Sequence, residues 1–261
     1  IKASVIQGGL PNWVYRQAAI DPPAEALIRD RYLAVAQNQP PERLLILPET
    51  AVRETWGQGM MTDIYRDLHE RGHGLVVGVN RRIDGALRNT AMVWSPEASE
   101  PVFQTKQRVV PVVEREFEAM SAEVAQLPLG GRVQLCIESV YPRYSDPQAN
   151  WLLVLTNDAG VGRSAPRRAF ERESRLRAVE TGRSLIRAGQ DGLSYLVAPS
   201  GRLLKRLPPY QAGVLQIDRM PGPLWSLRGA FGDWFFWLCF PVAFYAWFRR
   251  PRSNEPDASA L

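Results

Sequence analysis

Cysteine and histidine are scarce in this chain, with 2 of each among 261 residues. Cys136 lies mid-chain and Cys239 inside an apolar tail, so sulfur can assemble neither a disulfide framework nor a four-ligand zinc site. His69 and His73 stand four apart in HERGH, a spacing that could offer both to a metal from one helix face. Gly72 and Gly74 break the helix there, and a polar helix end is the reading preferred. No metal and no cofactor are expected. A concentration of charge of one sign is also lacking. The net charge of +5 comes from 32 lysines and arginines against 27 acids, scattered along the chain. Without a basic stripe interleaved with aromatics, a nucleic-acid partner is not expected. No repeat or low-complexity tract precedes the last few residues. A charged-then-apolar leader is missing as well: residue 1 is isoleucine, and Lys2 to Gly8 already reads as a strand. That is the pattern of a chain whose N-terminus was removed, or of the C-terminal part of a longer protein.

What is present suits a globular protein: 45% hydrophobic and 23% charged residues are enough to bury a sizeable core. Short aliphatic and β-branched runs recur between polar stretches. Ser4 to Gln7, Leu44 to Leu47, Leu75 to Val79, Thr90 to Trp94, Val133 to Ile137, Trp151 to Leu155, Ser184 to Ala188, Tyr195 to Ala198 and Val214 to Ile217 read as strands. Several are continuously apolar, which predicts strands covered on both faces. Helices are predicted over Pro23 to Gln39, Met60 to Arg71 and Pro166 to Gly182, the last two each stopped by glycine after a basic last turn. The alternation implies an α/β protein with a central sheet layer.

The tail differs. Trp234 to Phe248 carries no charge and is bracketed by Asp233 and by Arg249, Arg250 and Arg252. A full membrane span needs about 20 residues, so Leu227 to Gly232 would have to supply its first turn. Aromatics crowd both ends, and the trailing arginines predict a cytoplasmic C-terminus with the rest of the chain on the other side. The alternative is a buried terminal helix or hairpin. The expected division is a catalytic domain over 1–226, a membrane anchor over 227–250 and a disordered cytoplasmic tail over 251–261.

Three places combine a strand end with a group able to do chemistry. LLILPETAV sets Glu49 at a strand's carboxyl end; FQTKQRVVPVVE sets Lys106 just after a strand, with Glu114 eight residues on; VQLCIESVYP closes a strand with Cys136, followed by Glu138. Alone, such a cysteine is more often an inert small hydrophobe, and a lone Glu or Lys is usually solvated. Together they form a chemical set. A free thiol near pKa ~8.5 is mostly protonated at neutral pH, and it needs a base to take its proton and a cation to favour the thiolate. Glu49 can be the base, and Lys106 the cation and later the partner of an oxyanion. No histidine falls near this set, which argues against a Cys-His pair.

The ordered set PET, then Lys with Pro and Glu following, then CxE with a nearby Pro, then TND, resembles the nitrilase superfamily. VIQGGLP, LPETAV, LLVLTNDAGVG, RESRLRAVETGRSLIRAGQDGLSYLVAPSG and the junction FGDW narrow the resemblance to the apolipoprotein N-acyltransferases, from Val5 to Phe248. The resemblance implies a nitrilase-like four-layer α-β-β-α sandwich followed by one C-terminal transmembrane helix. It also implies a bacterial inner-membrane enzyme with its catalytic domain on the periplasmic side. Cys136 would take an acyl chain from a phospholipid as a thioester and pass it to the α-amine of a diacylglyceryl-cysteine lipoprotein. Glu49 carries over as general base, Lys106 as charge and oxyanion partner, and Glu114 and Glu138 as supporting carboxylates.

The chain departs from the family at Val112 and Val113, in place of Phe-Gly; at Ile137, where an aromatic is usual; and at Gly160 and Val161, in place of Trp-Phe. The family's N-terminal membrane bundle is not among these residues, the expectation being either that it was cut from this chain or that this is a divergent stand-alone relative. These changes touch pocket walls and lid loops more than the triad, so acyl transfer is implied while the lipid class is not. Two other readings stand beside it: a carbon-nitrogen hydrolase acting on a small amide or nitrile, and an inactive membrane-anchored relative.

Overall fold

The computed structural model describes every residue except 19, 53, 112, 121–123, 158–165 and 250–261. In chain order the elements are β1 (Ala3–Gln7), α1 (Asn12–Gln17), α2 (Pro22–Ala36), β2 (Leu44–Ile46), α3 (Met60–Glu70), β3 (Leu75–Ile83), β4 (Ala86–Trp94), β5 (Val102–Thr105), β6 (Gln126–Leu127), β7 (Gly131–Leu135), β8 (Trp151–Thr156), α4 (Pro166–Thr181), β9 (Ser184–Gly189), β10 (Tyr195–Val197), β11 (Leu203–Arg206), β12 (Gly213–Ile217), α5 (Leu227–Phe231) and α6 (Trp234–Phe248). They build two six-stranded sheets, ordered β12-β1-β2-β3-β4-β5 and β11-β10-β9-β8-β7-β6. Each sheet is parallel at its centre (β1, β2, β3; β7, β8, β9) and antiparallel towards its edges.

The continuously apolar strands are explained by burial on both faces. Side chains alternate across a strand. In β2, Leu44 and Ile46 enter the core between the two sheets, while Leu45 packs on the other side with Ile28, Tyr32, Met61 and Leu68 from α2 and α3. In β8, Leu153 and Leu155 face the inter-sheet core, and Leu152 and Val154 pack with Ala178 of α4. The result is four layers, helices outside and sheets inside. A two-faced strand cannot tolerate an alternating polar pattern, and the sequence accordingly shows none.

The strand from Val133 was expected to run through Ile137; it stops at Leu135, and Cys136–Val140 forms a 3-10 turn. The short edge strands β6 and β11 and the helices α1 and α5 carried no periodic signal. Gly72 (φ 90°) and Gly182 (φ 67°) end α3 and α4 as expected of glycine. The basic last turn expected of α4 is not there, since its final residues read AVET. His69 stacks on Trp94 at 4.2 Å and bonds the Ser95 carbonyl at 3.0 Å, which ties the helix end to the sheet. Among the described residues no group of three or more potential ligands could hold a metal.

The apolar tail forms α6, 15 residues with Pro241 inside. The preceding five-residue α5 does not extend it, because the backbone turns at Gly232 (φ 61°). At 1.5 Å per residue α6 spans roughly 22 Å, against a hydrocarbon core of about 30 Å. Among the described residues no helix is long and apolar enough to cross a membrane. Trp237, Leu238, Phe240, Val242, Phe244, Tyr245, Trp247 and Phe248 are all exposed. Arg250, Arg252 and the tail over 251–261 lie outside the described residues, as do Val112, Gly160 and Val161.

Candidate active site

The chemistry-bearing residues gather at one end of the two sheets. Glu49 follows β2, Lys106 follows β5 and Cys136 follows β7. The carboxyl ends of parallel strands are where open α/β sheets commonly leave a crevice.

Glu49 is buried, and its position is set from behind. The Gly78 amide of β3 donates to the Pro48 carbonyl at 3.2 Å, and Gln190 Nε2 donates to the carbonyls of Glu49 and Thr50, both at 2.8 Å. Gly78 is required by this approach: a Cβ there would stand 2.4 Å from Glu49 Cα. Thr50 then takes a left-handed φ of 43°, which swings the chain away immediately after the carboxylate.

Lys106 is fully buried, 0% exposed, yet it keeps its proton. Its Nζ lies 2.7 Å from Glu49 Oε1 and 2.7 Å from Glu114 Oε1. Burial by itself would drive the proton off. The neighbouring charges of Glu49, Cys136 and Glu114 outweigh it and hold the ammonium well above the ordinary lysine range. Asn89 Nδ2 donates to the same two carboxylate oxygens, at 2.8 Å to Glu49 and 3.2 Å to Glu114. Glu114 Oε2 accepts from the Val110 amide at 2.6 Å, which folds the segment after Lys106 back over the cluster.

Cys136 is a half-buried thiol in no disulfide, not sealed in the core. It opens the 3-10 turn with φ 46°, a conformation that side chains rarely adopt and that concentrates at functional sites. Ser139 Oγ donates to its carbonyl at 2.8 Å, and Thr156 Oγ1 donates to Sγ at 3.4 Å. The residue after Thr156 closes the circuit: the Asn157 amide donates to Glu49 Oε2 at 2.9 Å. One dipeptide at the end of β8 thus touches both the sulfur and the carboxylate.

Glu138 behaves differently from Glu114. Buried, it accepts from the Gln107 amide at 2.6 Å and from the Leu135 amide at 2.8 Å. It therefore pins the backbone just after Lys106 to the backbone just before Cys136, and no hydrogen bond from it to the Lys106 ammonium is seen. Burial pushes its carboxyl above the ordinary range despite those two donors. Beside it a cleft of about 590 Å³ is lined by Gln107, Glu138, Arg143 and Tyr144 among others.

All five residues singled out in the sequence meet in this cluster. Asn89, Thr156, Asn157, Arg187 and Gln190 were given no role. Three of them left a signal: Arg187 is a charge inside a mostly apolar strand, and Thr156 and Asn157 belong to the TND triplet. Asn89 left none, since it meets the carboxylates only because β4 lies in one sheet with β2, β3 and β5.

The fold, two mixed sheets between helical layers, is similar to that of solved structures of the carbon-nitrogen hydrolase superfamily. A superfamily protein from Xanthomonas campestris aligns with TM-score 0.68 at 17% identity, covering 84% of this chain and 90% of that one. An amidase from Nesterenkonia sp. AN1, in a mutant carrying an acetamide moiety on its active-site cysteine, aligns with TM-score 0.63 at 20% identity, covering 84% and 90%. In sequence the chain is similar to apolipoprotein N-acyltransferases. That of Pseudomonas paraeruginosa is 26% identical over 91% of this chain and 53% of its own length. That of Nitrosomonas europaea is 27% identical over 79% and 46%. The resemblance suggested by the motifs is therefore shown, and the chain spans about half the length of these relatives. No family model matches. The likeness in sequence thus lies with the acyltransferases, and the likeness in fold with the carbon-nitrogen hydrolases.

Proposed function

We propose that this chain carries the catalytic unit of an N-acyltransferase, which moves a fatty acyl chain from a phospholipid to the N-terminal α-amine of a diacylglyceryl-cysteine lipoprotein. The observation that carries the reading is the buried Lys106 ammonium, held between Glu49 and Glu114 beside an accessible Cys136. In the first half-reaction Glu49 takes the thiol proton as Sγ attacks the ester carbonyl. Lys106 holds the oxyanion. Collapse expels the lysophospholipid alkoxide, which recovers the proton from Glu49 and leaves a thioester on Cys136. In the second, the lipoprotein amine attacks the thioester, Glu49 takes its proton, and collapse forms the amide and returns the thiolate for reprotonation. Glu138 keeps the lysine and cysteine segments in register, and no cofactor is needed.

A lipid substrate is supported by α6, whose exposed aromatic and aliphatic side chains suit the interfacial region of a bilayer. On this reading residues 1–226 form the catalytic domain on the periplasmic side of a bacterial inner membrane. The 227–250 segment anchors it at the bilayer surface, where a helix too short to span can still bury its apolar side chains. The test is incubation of the full chain with a fluorescent phospholipid: wild type acquires a covalent acyl adduct and Cys136→Ala does not. An equal adduct on both, or none on wild type, refutes the proposal.

A second reading, hydrolysis of a small amide, is favoured by the structural likeness to the Nesterenkonia amidase. The chemistry is shared up to the thioester, where water replaces the amine. Ammonia release from soluble amides that survives deletion of 234–261 would select it. A Cys136 with the reactivity of an ordinary thiol and no turnover would select an inactive relative.

A further inference from the structure

A second cation reaches the sulfur through one hydroxyl. Arg187 sits in the middle of the apolar strand β9 with its side chain buried, 1% exposed. Its guanidinium lies over the Phe170 ring of α4 at 5.4 Å, and its Nη2 donates to Thr156 Oγ1 at 3.2 Å. That hydroxyl has one proton, which it gives to Cys136 Sγ at 3.4 Å. A hydroxyl that accepts from a guanidinium donates more strongly, and in a site of low dielectric the polarisation is retained. A buried arginine is costly to keep unless its charge is used by a neighbour, and the strand position it occupies is otherwise a core position.

We propose that Arg187 is a positioning residue that acts through Thr156, the pair forming a relay that stabilises the Cys136 thiolate independently of Lys106. The inference rests on the reading of Cys136 as nucleophile. It divides the work between two cations: Lys106 faces the developing oxyanion, while Arg187 and Thr156 orient and hold the sulfur in its left-handed turn. Deprotonation of Cys136 sends its proton to Glu49 whether or not the relay is intact. The relay sets only how readily the proton leaves.

The test is the pH profile of Cys136 alkylation by iodoacetamide, read by mass spectrometry in a Cys239→Ser background, because Cys239 is an exposed second thiol. Among the described residues the charged groups of this cluster are Lys106, Glu49, Glu114, Glu138 and Arg187, and all but the last keep their identity in every variant. Wild type is expected to titrate below the free-cysteine value of about 8.5. Thr156→Val and Arg187→Met are expected to raise the midpoint by about one unit, roughly tenfold less thiolate on the acid side. Thr156→Ser, which keeps the hydroxyl, restores the wild-type midpoint. A steric role alone would not distinguish valine from serine in this way. Should Arg187→Met fail to fold, Thr156→Val decides, with its melting curve as control. A depressed wild-type midpoint that Thr156→Val leaves unmoved overturns the relay while sparing the nucleophile. A wild-type midpoint at the free-thiol value overturns the nucleophile itself.

Discussion

Replacing Lys106 by methionine removes one charge from a site where three groups balance. The side chains of Lys106, Glu49 and Glu114 are 0%, 2% and 13% exposed, and both carboxylates contact the single ammonium at 2.7 Å. Methionine fills much the same volume, so the cost is electrostatic rather than a cavity. Removing one partner of a buried ion pair leaves the other charge uncompensated, at about 3–5 kcal/mol. In a chain of this size that lowers the melting temperature by roughly 6–20 °C. The sign of the pH dependence follows from the two carboxylates left facing each other. One takes up a proton, so a folded-state pKa rises above its unfolded value. Stability from such a group is present below the unfolded pKa and is lost as pH rises through the folded one. The wild type has no matching loss from Lys106, whose raised pKa keeps it charged throughout. Urea denaturation at pH 5 and pH 8 should therefore show the variant's deficit larger at pH 8. A deficit below about 1 kcal/mol, equal at both pH values, would refute a buried, mutually dependent cluster.

Other expectations concern the supports of the site. Gly78→Ala puts a Cβ 2.4 Å from Glu49 Cα, against backbone that cannot yield cheaply, so a loss of about 1–3 kcal/mol is expected together with slower Cys136 acylation; unchanged acylation would show that the close approach does not set the carboxylate. Glu138 titrates above the ordinary carboxylate range because it is buried, so its contribution is lost as pH rises through that raised value. Glu138→Gln removes this loss, and the stability difference from wild type should shift in the variant's favour between pH 4 and pH 8 in urea titrations; a constant difference contradicts it. Deleting 234–261 removes an exposed helix and should leave the melting temperature within a few degrees, while binding to phosphatidylethanolamine–phosphatidylglycerol vesicles falls at least tenfold by co-sedimentation. Retained vesicle binding would place the lipid contact elsewhere.

The fold was legible because its core strands are buried on both faces. Leu44–Ile46 and Trp151–Thr156 cannot be read as anything but interior once their lengths and flanking turns are considered. The edge strands Gln126–Leu127 and Leu203–Arg206 were not legible, since a short, half-solvated strand has neither a period nor an apolar run. The tail shows the limit of hydropathy: its apolar run was plain, but the turn at Gly232 separates α5 from α6, and only a backbone can reveal it.

The same division holds in the site. Residue types and strand ends were enough to single out Glu49, Lys106 and Cys136, because activating a thiol restricts which groups are useful; Glu114 and Glu138 entered as supporting carboxylates through the resemblance to the acyltransferases. The sequence alone could not separate the two supporting glutamates. Glu114 neutralises the ammonium and Glu138 ties backbone to backbone, a difference made by which way each side chain turns after a loop. Nor could it supply Asn89, Thr156 or Arg187, whose partners lie far off in the chain and are met only through sheet pairing. Local chemistry is written in one dimension; the distances that let charges share a proton or hold a thiolate arise only when distant strands lie side by side.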